Sequence, residues 1–238
     1  QRKEILTSSV SSVKGDDLTN EPVLNVTQAL QGKAAGVQII SSDAPGVSSQ
    51  VIIRGLGTIQ AGREPLYVVD GILTNNINNI NTADIETISI LKDAASLAIY
   101  GNRGANGVII VNTKKGGKED IKVSYDNFIG IRDINYRPVM ANSNSFVTYS
   151  NEAILFNLLN DSNPNNDNDL STFFPSDQLY NTNWLNEISQ LAFQSNHNIS
   201  ASGGNENLKT FFSVGLNQEE GILKGSELER ATLRSNLD

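Results

Sequence analysis

The sequence contains no cysteine and only one histidine, one methionine and one tryptophan among its 238 residues. The lack of cysteine excludes a disulfide framework, a thiolate metal site and a thiol nucleophile. Basic residues are also few, with 18 Lys and Arg against 26 Asp and Glu, and the formal net charge is −8. This balance argues against a nucleic-acid partner, because the phosphates of a nucleic acid require a basic surface.

Long apolar runs are absent as well. No run reaches the 18 or more apolar residues of a transmembrane helix, so none is predicted. Residues 1–5 lack the apolar segment of a signal peptide, so the protein is expected either to be cytosolic or to begin inside a longer precursor. Asparagine, by contrast, is abundant, notably in 75–81 and 160–168, and it favours turns and solvent-facing connections.

The first half of the chain has the pattern of a small mixed α/β unit. Asn25 precedes apolar residues at helical spacing that end at Gly36, which predicts a short helix. A second short helix is predicted over 93–100, capped by Asp93 and stopped by Gly101. Strands are predicted from short β-branched runs at 37–40, 50–54, 66–69, 85–91 and 108–113. Several of these runs are continuously apolar, so both faces of their sheet should be buried.

The second half alternates apolar and polar residues with a period of two. Ile121, Val123 and Tyr125 alternate with polar residues, and the pattern returns near 198–202, 211–217 and 232–237. A long connection separates the first two of these strands, a tight turn at 203–207 the next two, and a short connection the last two. Alternating strands joined by short turns and long loops are typical of outer-membrane β-barrels. The long connection is predicted to hold one helix over 145–159.

An ordered series of motifs runs through residues 29–110. It comprises ALQGKAAGV at 29–37, IRG at 53–55, PLYVVDG at 65–71, DIETI at 84–88, LKDAA at 91–95, IYG at 99–101 and GANGVII at 104–110. This series closely resembles the plug domain of the SusC-like TonB-dependent transporters of Bacteroidetes. The strands after Ile121 resemble the beginning of that family's barrel, and residues 229–238 resemble one of its early strands.

The resemblance implies an α+β fold in two parts. Residues 1–117 would form the plug, a small mixed sheet with short helices. Residues 118–238 would form the N-terminal portion of a transmembrane β-barrel, as about four antiparallel strands with a long loop at about 135–193. Barrels of this family have about 22 strands and a wide lumen that must be obstructed. Four strands cannot close such a barrel, so the chain is expected to be a fragment of a longer protein.

The resemblance also implies a function in nutrient uptake at the cell outer membrane. The plug, inside the barrel on the periplasmic side, would gate the import of oligosaccharides or peptides. The partners would be a SusD-like lipoprotein, membrane lipids and TonB, which would bind a segment upstream of this chain. A signalling receptor of the same family and a soluble carbohydrate-binding interaction domain remain alternatives. No cofactor is expected, and no enzyme, because no carboxylate pair or nucleophile with its base is singled out.

Within the resemblance, Arg54 and Arg103 match plug arginines that hold the plug to acidic residues of the barrel wall. Guanidinium suits this task because it binds carboxylates through two hydrogen bonds and stays charged when partly buried. The alternative for Arg54 is a local ion pair at a strand end. The motif residues expected to be structural are Gly55, Asp70, Gly71, Lys92, Asp93, Tyr100, Gly101 and Gly107.

Four aromatic residues of the long loop are candidates to contact substrate or a lid protein: Phe173, Phe174, Tyr180 and Trp184. The alternative for these side chains is packing within the loop itself.

Three other patterns do not support a catalytic or ligand site. The glycines at 101, 104 and 107 have the wrong spacing for a dinucleotide loop, and no long helix follows them. The acidic stretch 161–169 resembles a calcium loop but has Asn166 in place of the turn glycine and Thr172 in place of the bidentate glutamate. His197 has no nucleophile to activate and is interpreted as a strand residue. No metal site is therefore expected.

Overall fold

The structure is a computed structural model that describes residues 10–19, 25–42, 44–53, 55, 64–92, 98–160, 174–175 and 180–238. It divides into two compact units. The first comprises Gln1–Arg132 and Leu191–Asp238, and the second comprises Asp133–Gln190. The described strands of the first unit form a five-stranded, a two-stranded and a four-stranded sheet.

The described elements of the first unit are interrupted by the second unit between the eighth and ninth strands. Its strands are β1 (Val10–Lys14), β2 (Val37–Ile40), β3 (Gln50–Ile53), β4 (Leu66–Val69), β5 (Ile72–Thr74), β6 (Ile85–Leu91), β7 (Val108–Thr113), β8 (Lys122–Arg132), β9 (Ala192–Gly204), β10 (Lys209–Glu220) and β11 (Glu227–Leu237). Its helices are α1 (Gly15–Thr19), α2 (Val26–Ala29) and two 3₁₀ helices, Thr82–Asp84 and Ala98–Gly104.

The five-stranded sheet has the order β1-β6-β7-β4-β5, and β4 and β7 form its one parallel pair. The strands predicted at 66–69, 85–91 and 108–113 are confirmed, as is the pairing of β2 with β3. The edge strand β5 was not predicted. It follows a two-residue turn in which Asp70 and Gly71 have φ values of 49° and 87°. Positive φ at both central residues is the turn geometry that joins paired strands with their natural twist.

Both faces of the five-stranded sheet are covered by apolar side chains, as the continuous apolar strands predicted. On one face Leu18, Val26 and Leu30 from the helical segments pack with Ile109 and Val111 of β7 and their neighbours. On the other face Leu66, Val68 and Val108 pack with Leu91, Tyr100 and Ile110. Successive residues of β7 therefore point into two cores. Full burial of each branched aliphatic side chain contributes about 1.5–3 kcal/mol.

The helix predicted after Asn25 begins where expected but is shorter. The Asn25 side-chain oxygen accepts a hydrogen bond from the Thr27 N–H at 2.9 Å, as a helix cap does. Gln28 does not reach back to the cap; its amide donates to the Ser42 carbonyl at 3.1 Å. Gly32 and Gly36 both have φ of 75°. This left-handed conformation ends a helix, so the segment after Ala29 continues as turns.

The helix predicted over 93–100 is only partly testable, because residues 93–97, including the predicted cap Asp93, lie outside the described part of the chain. The described segment is a 3₁₀ helix rather than an α-helix. Gly101 interrupts it with φ of 61° and ψ of −151°, but helical turns resume and end at Gly104. The predicted end at Gly101 is therefore wrong by three residues, because the glycine kinks the segment without stopping it.

The four-stranded sheet has the order β11-β10-β9-β8 and is antiparallel throughout. All four strands predicted from the alternating residues are present. The turn between β9 and β10 is held by Asn205, whose side-chain oxygen accepts from the N–H groups of Asn207 and Leu208, each at 2.9 Å. This is the local bonding that makes asparagine common in turns.

The second unit contains two described helices, α3 (Ser143–Asn160) and α4 (Trp184–Ile188). The predicted helix over 145–159 is confirmed as α3. Asn142 caps it, with its side-chain oxygen accepting from the Ser145 N–H at 2.8 Å. In the part of the chain that the structure describes, no helix combines the length and apolarity needed to cross a membrane.

Candidate functional site

The four-stranded sheet has an exposed apolar face and a polar face. The strand registers place its exposed apolar side chains together on one face: Val123, Tyr125, Ile129, Ile131, Ile199, Phe212, Val214, Leu216, Leu233 and Leu237. A sheet on the surface of a water-soluble domain buries such a face. An apolar outer face backed by a polar inner face is the arrangement of a transmembrane barrel wall.

The polar inner face of β9, β10 and β11 lies against the five-stranded-sheet region. The polar contacts between them are hydrogen bonds and two ion pairs, and they fall into two groups and a few single links. We call the first group the notch, formed by Asn81, Asp84, Asn198, Ser213 and Gly215. We call the second group the corner, formed by Asp70, Thr113, Arg234 and Asn236.

In the notch, the carboxylate of Asp84 is inserted between two strands. It accepts hydrogen bonds from the Ser213 hydroxyl at 2.8 Å and from the Asn198 side-chain N–H at 3.2 Å. Only 2% of Asp84 is exposed, and Asn198 and Ser213 are equally buried. A buried carboxylate is costly unless it is hydrogen-bonded, so these two neutral donors are essential to its placement.

Gly215 creates the space for this insertion. A Cβ atom at position 215 would lie 2.6 Å from the Thr232 hydroxyl and 3.0 Å from the Asn81 side-chain nitrogen. Asn81 also caps the 3₁₀ helix Thr82–Asp84, accepting from the Ala83 N–H at 3.0 Å, and donates to the Asn196 side-chain oxygen at 3.1 Å. The Asn81 side chain, beside the turn that carries Asp84, therefore lies close to β10 at a position that has no side chain.

In the corner, the motif residue Asp70 accepts three hydrogen bonds from two residues. Its carboxylate accepts from the Thr113 N–H at 2.9 Å, from the Thr113 hydroxyl at 2.7 Å and from Arg234 at 2.5 Å. Asn236 donates beside it to the Lys114 carbonyl at 2.9 Å. About a quarter of each side chain of the Asp70–Arg234 pair is exposed, at 27% and 22%, so the corner is wetter than the notch.

Single links extend the contact along β11. Arg230 donates to the Asn78 carbonyl. Beyond the strand, Lys115 pairs with Asp238 at 3.0 Å, and this hydrogen bond and charge raise the pKa of the Lys115 ammonium. Arg230, Arg234 and Asn236, which share the polar face of β11, thus all contact the first half of the chain.

Lys92, expected only as a structural motif residue, is a buried ammonium. It donates to the Ser11 hydroxyl at 2.8 Å and to the Ala35 carbonyl at 2.7 Å. Ser11 belongs to β1, which has β6 as its one neighbour in the sheet. Lys92 therefore ties this edge strand to the turns after α2, a contact that the sequence pattern did not indicate.

The remaining motif residues are distributed around the five-stranded sheet. Arg54 and Asp93 lie outside the described residues, and Arg103 is exposed in the second 3₁₀ helix. Tyr100 packs on the smaller core cluster. Gly55, Gly101 and Gly107 all have positive φ. Of the two latch candidates only Arg103 is described, and it takes no part in the contacts of the notch or the corner, whereas Asp70 lies within the corner.

The aromatic candidates belong to the second unit, and Phe173 lies outside the described residues. Phe174 is fixed on α3: its N–H and carbonyl form two hydrogen bonds with the Asn151 side chain, each 2.9 Å long. Its ring meets Phe146 edge-on at a centroid distance of 5.9 Å. Tyr180 and Trp184 are 82% and 72% exposed. Phe174 therefore packs within the loop, while the other two rings face solvent.

The described residues offer no assembled metal site, since no group of three His, Cys, Asp or Glu side chains comes together among them. The stretch 161–169 and Thr172 lie outside the described residues. His197 lies on the apolar face of the four-stranded sheet. Its ring stacks on Tyr125 at 6.1 Å, and its Nδ1 is 2.7 Å from the Tyr125 hydroxyl.

The notch residues were missed by sequence reasoning, although each carried a partial signal. Asp84 opens one of the motifs, and Asn198, Ser213 and Gly215 occupy polar or small positions in alternating strands. The alternation identifies the polar face of each strand. It does not identify which residue of the distant first half will contact that face.

Comparison with known proteins supplies a context for this geometry. A family model described as TonB-dependent Receptor Plug Domain matches residues 2–108. TonB-dependent receptor P26 of Formosa agariphila is 42% identical over all of this chain and 24% of its own length. TonB-dependent receptor SusC of Bacteroides thetaiotaomicron is 35% identical over 99% of this chain and 23% of its own length. The chain thus spans about a quarter of the curated relatives that it matches.

Solved structures show the same relationship. A chain of the RagAB peptide importer in its open-open state superposes with a TM-score of 0.83 at 29% identity, covering 100% of this chain and 29% of that one. The siderophore receptor PirA from Pseudomonas aeruginosa superposes over 96% of this chain and 31% of its own, with a TM-score of 0.56 at 18% identity. At that identity the likeness concerns the fold alone.

Proposed function

The chain belongs to the SusC-like TonB-dependent receptors, outer-membrane proteins, and from this premise we propose that it gates a nutrient importer. In this proposal residues 1–117 form a plug that fills a barrel, and residues 118–238 supply the first strands of the wall. The full receptor imports oligosaccharides or peptides together with a SusD-like lipoprotein. The plug lies on the periplasmic side, and TonB supplies the energy through a segment upstream of residue 1.

The observation that carries the proposal is the four-stranded sheet, which exposes its apolar face and turns its polar face to the plug. Its exposed apolar face suits contact with lipid, and its polar face is bonded to the plug through Asp70 and Asp84. A plug that is bonded to the wall seals a wide lumen. Because the contacts at the notch and the corner are polar, water can replace them when the plug moves.

The position of β1 supports a role in force transmission. It is the first described strand of the plug, it lies at a sheet edge, and it pairs with β6. A pull on the N-terminal segment would act first on β1 and on the Lys92–Ser11 hydrogen bond. An edge strand can leave a sheet without breaking the central pairs, so the plug can respond to TonB without losing its whole core.

The contact residues of the proposal are partly those expected from the sequence. Arg54 and Arg103 are retained as candidates for the latch to other parts of the barrel, and the exposure of Arg103 is compatible with such a partner. Phe173, Phe174, Tyr180 and Trp184 are retained as candidates for contact with substrate or the lipoprotein. Among them Tyr180 and Trp184 are the most exposed in the described residues.

The experiment is uptake by cells that express a full-length receptor carrying this sequence together with the adjacent SusD-like gene. Growth would be measured on a panel of oligosaccharides and on a panel of peptides as the limiting nutrient, with and without TonB. We expect growth on members of one panel that requires the receptor and TonB. Growth that is equal with and without the receptor on every substrate would contradict the proposal.

A control tests the seal independently of nutrient uptake. A receptor lacking residues 1–117 should admit large hydrophilic antibiotics that an intact outer membrane excludes, because an unplugged lumen is open. If this deletion, shown by surface labelling to be assembled in the membrane, admits no antibiotic, residues 1–117 are not the seal.

A further inference from the structure

The buried notch, and not the more exposed corner, is the contact that keeps the plug seated against the barrel wall: this is what we infer from their difference in burial. The inference rests on the proposed function and deepens it by naming the residues of the seal. Asp84 is the positioning residue of the plug. On the wall, Asn198 of β9 and Ser213 of β10 are its hydrogen-bond donors, and Gly215 of β10 leaves space beside them.

The first support is burial. Asp84, Asn198 and Ser213 are all at most 2% exposed, whereas the side chains of Asp70 and Arg234 are exposed by about a quarter. Hydrogen bonds to a charge strengthen as water is excluded, and breaking them leaves a costly unpaired group. Water competes for the corner continuously and for the notch only after the plug has moved.

The second support is steric fit. Gly215 lies in extended backbone, where alanine is conformationally acceptable, so a methyl group there acts through space alone. It would approach Thr232 and Asn198 of the wall at 2.6 and 3.2 Å, and the Asn81 side-chain nitrogen of the plug at 3.0 Å. A methyl group at residue 215 would therefore crowd both the wall and the Asn81 side chain that lies against it.

The third support is register. Asn198 and Gly215 are directly paired across β9 and β10, and Ser213 lies two residues from Gly215 on the same face. Asp84 and Asn81 belong to one cap and 3₁₀ helix, three residues apart. The two side chains of the capped 3₁₀ helix and the two polar side chains of the paired strands can therefore meet at one position of the plug on the sheet. A shift of the plug by one strand residue, about 3.3 Å, would carry the Asp84 carboxylate out of hydrogen-bonding distance of both donors.

The test exchanges the two partners across the interface in the full-length receptor. Asp84→Asn removes the charge and leaves one acceptor oxygen for the two donors, Asn198 and Ser213. Asn198→Asp sets two carboxylates against each other. Each single variant should increase the fraction of receptors whose plug has left the wall roughly 10- to 100-fold. This is the loss expected for hydrogen bonds to a charged group. The double variant restores one carboxylate and one amide and should return near the original value.

The readout is leakage of vancomycin into cells, with receptor level at the surface measured in parallel. The corner variant Arg234→Gln is the matched control and should leak several-fold less than Asp84→Asn. Gly215→Ala should leak with Asp84 intact. Hydrogen exchange of the amides in β6 and β7 checks that the plug itself remains folded in every variant.

Each outcome decides the inference. Rescue by the double variant supports it, because two residues with separate structural roles would add their defects. Leakage that is equal for the corner and notch variants, or a double variant worse than either single one, overturns it. If deletion of residues 1–117 also causes no leakage, the result contradicts the proposed function of the plug. The assignment of the seal to the notch is then not what has failed.

Discussion

The two large sheets of the first unit use the same strand periodicity in opposite ways. In the five-stranded sheet Ile88, Ile109 and Val111 are fully buried, and apolar side chains cover both faces. In the four-stranded sheet, side chains such as Val214 and Leu233 are exposed on one face while Asn198 and Ser213 are buried on the other. The difference shows that each sheet is adapted to its own surroundings, one to a protein core and the other, on the proposed function, to lipid.

The seam between the two sheets follows from this difference. Among the described residues the face of the four-stranded sheet that meets the first half of the chain is mostly polar, and hydrogen bonds join the two at the notch and the corner. Apolar cores resist separation because each exposed side chain costs free energy. Polar contacts can be exchanged for water at a smaller net cost. On the proposed function, contacts of this kind would let the plug part from the wall at a smaller cost than an apolar contact would.

The largest difference between the two sheets is expected when the same substitution, isoleucine to alanine, is made in each. Ile88→Ala should destabilise the plug by about 2–5 kcal/mol, because it leaves a cavity in a packed core. Ile129→Ala, on the exposed apolar face, should cost about 0.5 kcal/mol or less. Hydrogen exchange of the β6 and β7 amides in the full receptor would measure the first change. Equal losses at the two sites would mean that the exposed face is packed against protein.

A charge placed on each face of the four-stranded sheet tests its contact with lipid. Val214→Arg lies at mid-strand on the apolar face and should cost about 2–4 kcal/mol in a bilayer. Ser124→Arg lies on the polar face of β8 and should have almost no effect. The measurement is the fraction of receptor folded in the outer membrane, from its heat-modifiable mobility in gels. If both variants assemble normally, the apolar face does not meet the hydrocarbon.

The smallest expected effect concerns a titration within the plug. Burial, with a smaller contribution from Glu64, raises the pKa of the Tyr67 hydroxyl to about 12. The unfolded chain ionises near pH 10, so it loses its proton first and plug stability should fall as the pH rises from about 10 to 12. At about pH 11 the loss is about 1 kcal/mol. Tyr67→Phe should remove this part of the alkaline destabilisation.

Ultraviolet titration of the tyrosines would check the assignment. One tyrosine should ionise well above the others in the parent protein, and that late step should be missing in Tyr67→Phe. A late step that survives the substitution would show that another tyrosine is the buried one.

Much of the fold could be predicted from local patterns in the sequence. The strands at 66–69, 85–91 and 108–113, the four alternating strands and helix α3 are found where the patterns placed them. Predictions failed where a single residue's conformation decided the outcome. Gly32 shortened helix α2, Gly101 kinked a segment that it was expected to end, and Asp70 with Gly71 began a strand that had no pattern of its own.

The candidate site was less accessible to prediction for a different reason. Asp70 was expected to be structural and proved to be a junction with Arg234, whose role no motif indicated. Asp84 and its partners Asn198 and Ser213 are 114 and 129 residues apart in sequence. No local pattern relates residues at such separations.

By itself, therefore, the sequence determined the family, the order of the elements and the polar and apolar faces of each strand. These properties depend on neighbouring residues, through period-two alternation, turn chemistry and short motifs. Only the tertiary structure decided which polar side chains meet across the seam. That choice depends on distances of about 3 Å between distant segments, and it is set by sheet register and by the one missing side chain at Gly215.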